Sequence, residues 1–392
     1  MITKIYNGKV ITPYRIIENG CVLIKDDVIT YVGAHDESMT ADKTIDAGHR
    51  TISPGFIDIH VHGGGGSDFM DGEKEDFIIA CETHAKYGTT SIVPTCTSSH
   101  ISDLEKSVKA YEQAKKMNHK GARMLGLHLE GPYFAYEQRG AQDPRYLRDP
   151  EKSEYEQIMS WSDDIIRWSL APELNNAMEF AMAMKEKGII PAIGHSDATY
   201  DQVLQAYEWG YELVTHLYSG CSVMRRINAF RVAGVVESAF LIDGMFVEVI
   251  ADGCHLPASL LKLIYQNKGC SKIALITDGT RASGDSSVKT IVGSKKDGIK
   301  AIVEDGVAKL PDRSAFAGSV ATTDRLVRTV IDIAEIPLTK AVEMMSATPA
   351  KIMKVYDKTG SLSPGKLADI ILFDEDINVS MTMIEGNIVF EK

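Results

Sequence analysis

The chain lacks several features that would place it quickly. Its six cysteines (21, 81, 96, 221, 254 and 270) are scattered through 392 residues, and none forms a Cys-x-x-Cys pair. That pattern offers no disulfide framework and suits reduced, buried thiols in a cytoplasm. No run of 18 apolar residues occurs, so no transmembrane helix is expected. The first residues, Met1 to Val10, contain no long apolar core with a cleavage site and do not read as a secretory leader. Positive charge is in deficit, with 42 Lys and Arg against 54 Asp and Glu, a net charge of −12. An acidic surface argues against nucleic acid or an anionic membrane as partner. It leaves room for a small anionic substrate held in a local positive pocket. Low-complexity segments are also missing.

What is present is an alternation. Residues 2–53 read as short strands and turns, with Asn7-Gly8 as a hairpin signal between strand-like runs. From Pro54 onward, apolar runs of strand length alternate with amphipathic segments of helix length. The runs are 55–60, 90–96, 124–131, 166–173, 189–196, 212–218, 245–253 and 272–279; helices are expected over 73–87, 102–117, 174–187, 199–209 and 257–267. Near-continuous apolar strands separated by helices indicate a parallel sheet covered on its outside. Eight such units predict an α/β fold of the (β/α)8 TIM type, with an open doubly wound sheet as the alternative. A hairpin-rich excursion over 286–316 follows, then helices at 320–335 and 338–347, and the tail from 365 to 390 returns to strand texture. Both ends of the chain are thus β-rich. The expected organisation is a small β-sandwich domain from residues 1–53 plus 356–392, with the barrel, 54–355, inserted between them.

In such a barrel, catalytic groups belong at the C-terminal ends of the strands. Those ends read His60-Val61-His62, His128-Leu129-Glu130, Gly194-His195-Ser196, Thr215-His216-Leu217, Asp252-Gly253-Cys254-His255 and Thr277-Asp278-Gly279, with His100 shortly after the second run. Any one of these histidines alone reads as a hydrogen-bonded core or loop residue. A scatter of structural histidines, however, has no reason to gather on one face. Imidazole and carboxylate are ligands for zinc, iron or manganese. Glu130, His195 and His216 make a three-ligand site, and His60 and His62 supply a second position with Glu130 as the bridge. Asp278 would take the proton from the attacking water and give it to the leaving amine, the machinery of amide or ester hydrolysis. Its bland reading is the first residue of an Asp-Gly turn.

These motifs carry a resemblance. Pro54-Gly55-Phe56-Ile57-Asp58-Ile59-His60-Val61-His62-Gly63 is similar to the opening motif of the amidohydrolase superfamily. His128-Leu129-Glu130-Gly131-Pro132, Gly194-His195-Ser196, Thr215-His216-Leu217, Asp252-Gly253-Cys254-His255 and Thr277-Asp278 then resemble, in register, the N-acetylglucosamine-6-phosphate deacetylases. The fourth run, 166–173, has no lysine, so the carboxylated lysine that bridges two metals in dihydroorotases, hydantoinases and ureases is excluded.

The resemblance implies deacetylation of an amino-sugar phosphate with one or two divalent ions, zinc first and iron or manganese as alternatives. It implies Glu130, His195 and His216 as main ligands, His60 and His62 for a second ion, and Asp278 as acid and base. His255 would contact the sugar or polarise the acetyl group, and Phe316, Ala317 and Gly318 would line the pocket. A homodimer is implied, because members of the family lend an arginine across an interface. Two departures stand out. Gln142 occupies a position that is often histidine in the family, and a glutamine still donates a hydrogen bond. The stretch Tyr218-Ser219-Gly220-Cys221-Ser222-Val223-Met224-Arg225-Arg226-Ile227-Asn228 replaces the family's phosphate-contacting loop. Ser219 and Gly220 could offer donors there, and Arg225 or Arg226 a phosphate clamp; a solvated basic pair is the plain alternative. The altered loop keeps other substrates open: N-acetylgalactosamine 6-phosphate, or an N-acyl compound without phosphate. A non-catalytic sugar- or metal-binding protein of the same fold would lack a ligand or the acid/base.

Overall fold

The run Phe56–Val61 is buried along its whole length, as a strand must be when both of its faces are covered. It is the first of eight barrel strands: β1 (Phe56–Val61), β2 (Thr89–Thr97), β3 (Leu127–Glu130), β4 (Ile165–Leu170), β5 (Ile190–Ile193), β6 (Leu213–Val214), β7 (Phe246–Ile250) and β8 (Ile273–Ile276). Each pairs in parallel with the next. The ring closes where Val61 bridges Gly279 in parallel and the Asp278 amide donates to the His60 carbonyl at 2.9 Å. The structure, a computed structural model, describes residues 1–117, 120–285, 287 and 290–392.

Helices cover the outside of the ring, and the expected ones are present, at Lys74–Ala85, Ile101–Ala114, Ala177–Glu186, Tyr200–Trp209, Ala258–Lys268, Thr323–Asp332 and Leu338–Met345. Three further short helices, Lys152–Met159, Val235–Leu241 and Ala347–Ile352, were not anticipated. The expected run 124–131 is also split. Arg123–Met124 pairs with β2 separately, and the break falls at Gly126, whose φ is 155° and where a Cβ would lie 2.5 Å from the Ile166 side chain. The excursion after β8 forms two small hairpins, Ile291–Val292 with Ile299–Lys300 and Ile302–Glu304 with Val307–Lys309. Its residues 286, 288 and 289 lie outside the described residues. No helix among the described residues is long and apolar enough to cross a membrane.

The two ends of the chain build one hydrogen-bonded sheet of eight strands, in which Thr51–Pro54 lies between Ile2–Ile11 and Ile370–Phe373. Its halves close over a core of their own, including Ile5, Val22, Ile29, Ile52, Ile370 and Met381. The closure is fixed by backbone bonds from Ile29 to Lys366 and from Ala368 to Asp27. Alternation along the tail strand sends Ile371 and Phe373 the other way, into the barrel's core. Arg123, at the start of the third barrel segment, clasps the buried Asp369 at 2.7 Å and Glu385 at 2.9 Å. The sheet is therefore docked at the end of the barrel away from the strand termini that carry the histidines.

Candidate active site

The residues at the strand ends are turned inward by unusual backbone. His195, His216 and Asp278 have φ of 47°, 30° and 46°, in the left-handed region that costs a non-glycine residue about 1–3 kcal/mol. Hydrogen bonds hold them there: the His195 carbonyl accepts from the Ala135 amide (2.9 Å), the His216 amide donates to Glu248 Oε2 (3.3 Å) and the Asp278 amide to the His60 carbonyl (2.9 Å).

Around Glu130 the geometry is that of a cation cradle. His195 Nδ1 lies 2.8 Å from the Gln138 carbonyl and His216 Nδ1 lies 2.9 Å from the Ser219 carbonyl. A carbonyl only accepts, so both rings carry a proton on Nδ1 and, when neutral, a lone pair on Nε2. Those Nε2 atoms face Glu130 Oε1 at 3.2 and 2.9 Å. His60 repeats the pattern: Nδ1 meets Glu248 Oε2 at 3.2 Å, while Nε2 has no hydrogen-bond partner and stands 3.5 Å from both Glu130 Oε1 and Asp278 Oδ1. His62 Nε2 faces Asp278 Oδ1 (3.1 Å) and Glu130 Oε2 (3.3 Å). Lone pairs converging on carboxylate oxygens repel unless a cation or protons lie between them. Two groups, His60–His62–Asp278 and His60–Glu130–His216, bring their ligand atoms within 4.8 Å of one another. The donor set, imidazole nitrogen with carboxylate oxygen, fits a divalent ion of the zinc, iron or manganese kind.

Without an ion the same crowding acts on protons. Burial opposes charge on Glu130, but the charge on His60 and hydrogen bonds from the surrounding rings hold its carboxyl well below the usual range. Burial also opposes charge on His60, and Glu130, Glu248 and Asp278 raise it nonetheless to about 9. Asp278 is held below its ordinary value against burial by the hydrogen bond from His62 and the charges of His60 and His62.

A cavity of about 320 Å³ opens over this cradle. Of the fourteen residues anticipated from the sequence, twelve line it; His60 lies beneath, fully buried, and Arg226 stands outside. Gln142 is braced rather than free: Nε2 donates to Glu130 Oε2 (2.9 Å) while Oε1 accepts from Thr97 Oγ1 (2.9 Å). Ser219 backs His216 through its carbonyl, Gly220 lies against His195, and both line the wall. His255 is oriented by Asp252 (Nδ1 to Oδ2, 2.9 Å) and packs on Phe316, with ring centroids 4.5 Å apart. Ala317 and Gly318 complete that side beside Asp278.

Arg226 lies on a hairpin, Arg225–Ile227 with Phe230–Val232, that projects from the loop after His216. Arg225 is tied to Asp197 at 2.9 Å. Two other histidines of the strand-end set are not in the cradle. His128 lies below it between Thr95 (3.1 Å) and Ser169 (2.7 Å), pushed well below the usual histidine range by burial and the Arg167 charge. His100 sits at the N-terminus of a helix, accepting from the Ser102 amide.

Sequence reasoning missed Arg167 and Glu248, a fully buried ion pair inside the barrel. The signal was present: each is a charged residue in the middle of an apolar strand run, a place that charge occupies only when paired.

The sequence model of the Amidohydrolase family matches residues 51–389. The chain belongs to the amidohydrolase family. Within it, the chain is 31% identical over 391 residues to an N-acetylglucosamine-6-phosphate deacetylase of Bacillus subtilis, covering 97% of this chain and 95% of the relative. An N-acetylgalactosamine-6-phosphate deacetylase of Escherichia coli O157:H7 is 30% identical, over 86% of this chain and 87% of its own length. The crystal structure of N-acetylglucosamine-6-phosphate deacetylase from Pasteurella multocida superposes with a TM-score of 0.89 at 28% identity, over 99% of both chains. This amidohydrolase thus shares its whole architecture, both terminal segments included, with the deacetylase group.

Proposed function

We propose that the chain hydrolyses the N-acetyl amide of N-acetylglucosamine 6-phosphate, releasing acetate and glucosamine 6-phosphate, in amino-sugar catabolism. The observation that carries this reading is the convergence of His60, His62, Glu130, His195, His216 and Asp278 under one cavity. Glu130, His195 and His216 would hold a divalent ion, zinc in the first instance, and His60 and His62 a second. Such an ion supplies Lewis acidity toward a carbonyl and acidifies water. Asp278 accepts the proton of the attacking water and returns it to the amine as the C–N bond breaks. His255, whose Nδ1 is committed to Asp252, directs its other nitrogen at the sugar or the acetyl oxygen. Phe316 and Ala317 close the apolar side of the pocket.

A phosphate needs a cation, and the described residues lining the cavity include no lysine or arginine. We propose that a second copy of the chain supplies it, through the hairpin that exposes Arg226 and Arg231 beside Phe230, which is 76% exposed. This supports a homodimer. The same lack of a lysine or arginine, and the galactosamine relative, favour a second reading in which the hexosamine differs or the phosphate is not required.

The deciding experiment incubates protein of measured metal content with N-acetylglucosamine 6-phosphate, its galactosamine epimer and both sugars without phosphate, detecting free amine. Fastest turnover of the first is expected. Equal rates with and without phosphate would establish the second reading, and no turnover of any after zinc, iron or manganese is restored would remove both. Asp278→Asn is expected to lower kcat by about 10²–10⁴-fold with the ion of Glu130, His195 and His216 retained.

A further inference from the structure

Glu248 lies in the middle of β7, fully buried, and both of its oxygens are engaged. Oε1 accepts from Arg167; Oε2 accepts from His60 Nδ1 at 3.2 Å and from the His216 backbone amide at 3.3 Å. Arg167 is itself tied to the Ile59 carbonyl (3.0 Å) and Thr215 Oγ1 (3.1 Å), so the pair spans the strands that end in His60 and His216. A carboxylate only accepts, which places the His60 proton on Nδ1 and leaves the lone pair of Nε2, the atom without a hydrogen-bond partner, facing Glu130 and Asp278. The ligand histidines differ in one respect. His195 and His216 are oriented by backbone carbonyls, whereas His60 is oriented by a side chain whose charge is set by another side chain.

We propose that Glu248 is a positioning residue for His60, and that the Arg167–Glu248 pair determines how tightly the His60–His62 half of the site holds its ion. The inference rests on the reading of the cradle as a two-ion centre. Partners behind a metal-binding histidine fix its tautomer and raise its basicity, and their loss lowers metal affinity about 10–100-fold. The ion held by Glu130, His195 and His216 should be affected less, because those rings keep their carbonyl partners. A pair serving only to stabilise the fold would change the melting temperature without selecting one ion.

The test strips the full-length protein of metal and titrates it with cobalt(II), following the visible bands and the bound stoichiometry. Wild type should take two ions. Glu248→Gln should take the first with the wild-type band and the second about 10–100-fold more weakly. His60→Asn should also take one ion tightly, and adding Glu248→Gln to it should cost little more, because Glu248 then has no imidazole to act on and keeps only the His216 backbone amide. If the unpaired guanidinium prevents folding of Glu248→Gln, the neutral double variant Arg167→Met/Glu248→Leu replaces it, with the same loss of the second ion expected. Two ions bound with unchanged affinity in these variants would overturn the inference, as would a further loss of about tenfold or more on combining Glu248→Gln with His60→Asn. A wild type that takes only one ion would instead overturn the two-ion reading beneath it.

Discussion

At the scale of the residue, the site depends on side chains held in place by what lies behind them. Gly220 shows how little space is left: its φ is 54°, and a Cβ there would lie 2.6 Å from His195 Nδ1 and 2.8 Å from the Gln138 carbonyl that orients the ring. Gly220→Ala is expected to displace His195, lowering metal occupancy in a metal-content assay and kcat/KM at least tenfold. The left-handed backbone adds a stability cost of about 1 kcal/mol, readable in a urea melt. The residues of the cradle were legible in the sequence because each ends an apolar run, where a barrel puts its functional groups. Arg167 and Glu248 were not, because runs read for their apolar character hide the charged residue inside them. Arg226 was assigned to the pocket from its place in the chain after His216, but the chain turns away there into a hairpin.

Elements explain that turn. Asn228 and Ala229 both have positive φ (49° and 71°), the backbone of a two-residue hairpin turn, and the asparagine was the one local signal for it. The hairpin leaves Phe230, Met224 and Ile227 in contact with solvent, a cluster suited to burial against another molecule. In the proposed homodimer Phe230 is an interface residue, and Phe230→Glu is expected to shift sedimentation velocity from dimer to monomer. It should also raise KM for the phosphorylated sugar while leaving kcat/KM for the unphosphorylated one unchanged. The long barrel helices were readable from their period and length. Val235–Leu241 was missed for a physical reason: at seven residues it shows too few turns for a period, and it is apolar on most sides.

For the whole molecule, the barrel was legible because eight buried strands alternate with helices, and the β-rich ends because their texture differs from the middle. How the two parts join was not, since that rests on contacts between residues far apart in sequence. Arg123 and Asp369 are the clearest instance, 246 positions apart and 2.7 Å in space. Arg123→Met leaves Asp369 buried without its cation, and a loss of about 3 kcal/mol in unfolding free energy is expected from denaturant titration.

The sheet assembled from both ends also makes the order of synthesis a constraint. Thr51–Pro54 pairs early with Ile2–Ile11, but cannot gain its second partner until Ile370–Phe373 has emerged, 316 residues after Pro54. At roughly 5–20 residues per second, the edge of that strand waits on the order of 15 seconds to a minute on the ribosome. Throughout that interval Ile5, Val22 and Ile52, in the strands before the barrel, lack the cover that Ile370 and Met381 give them in the finished fold. A nascent chain halted before residue 370 should therefore bind chaperones through its N-terminal segment, even after its barrel strands have been made.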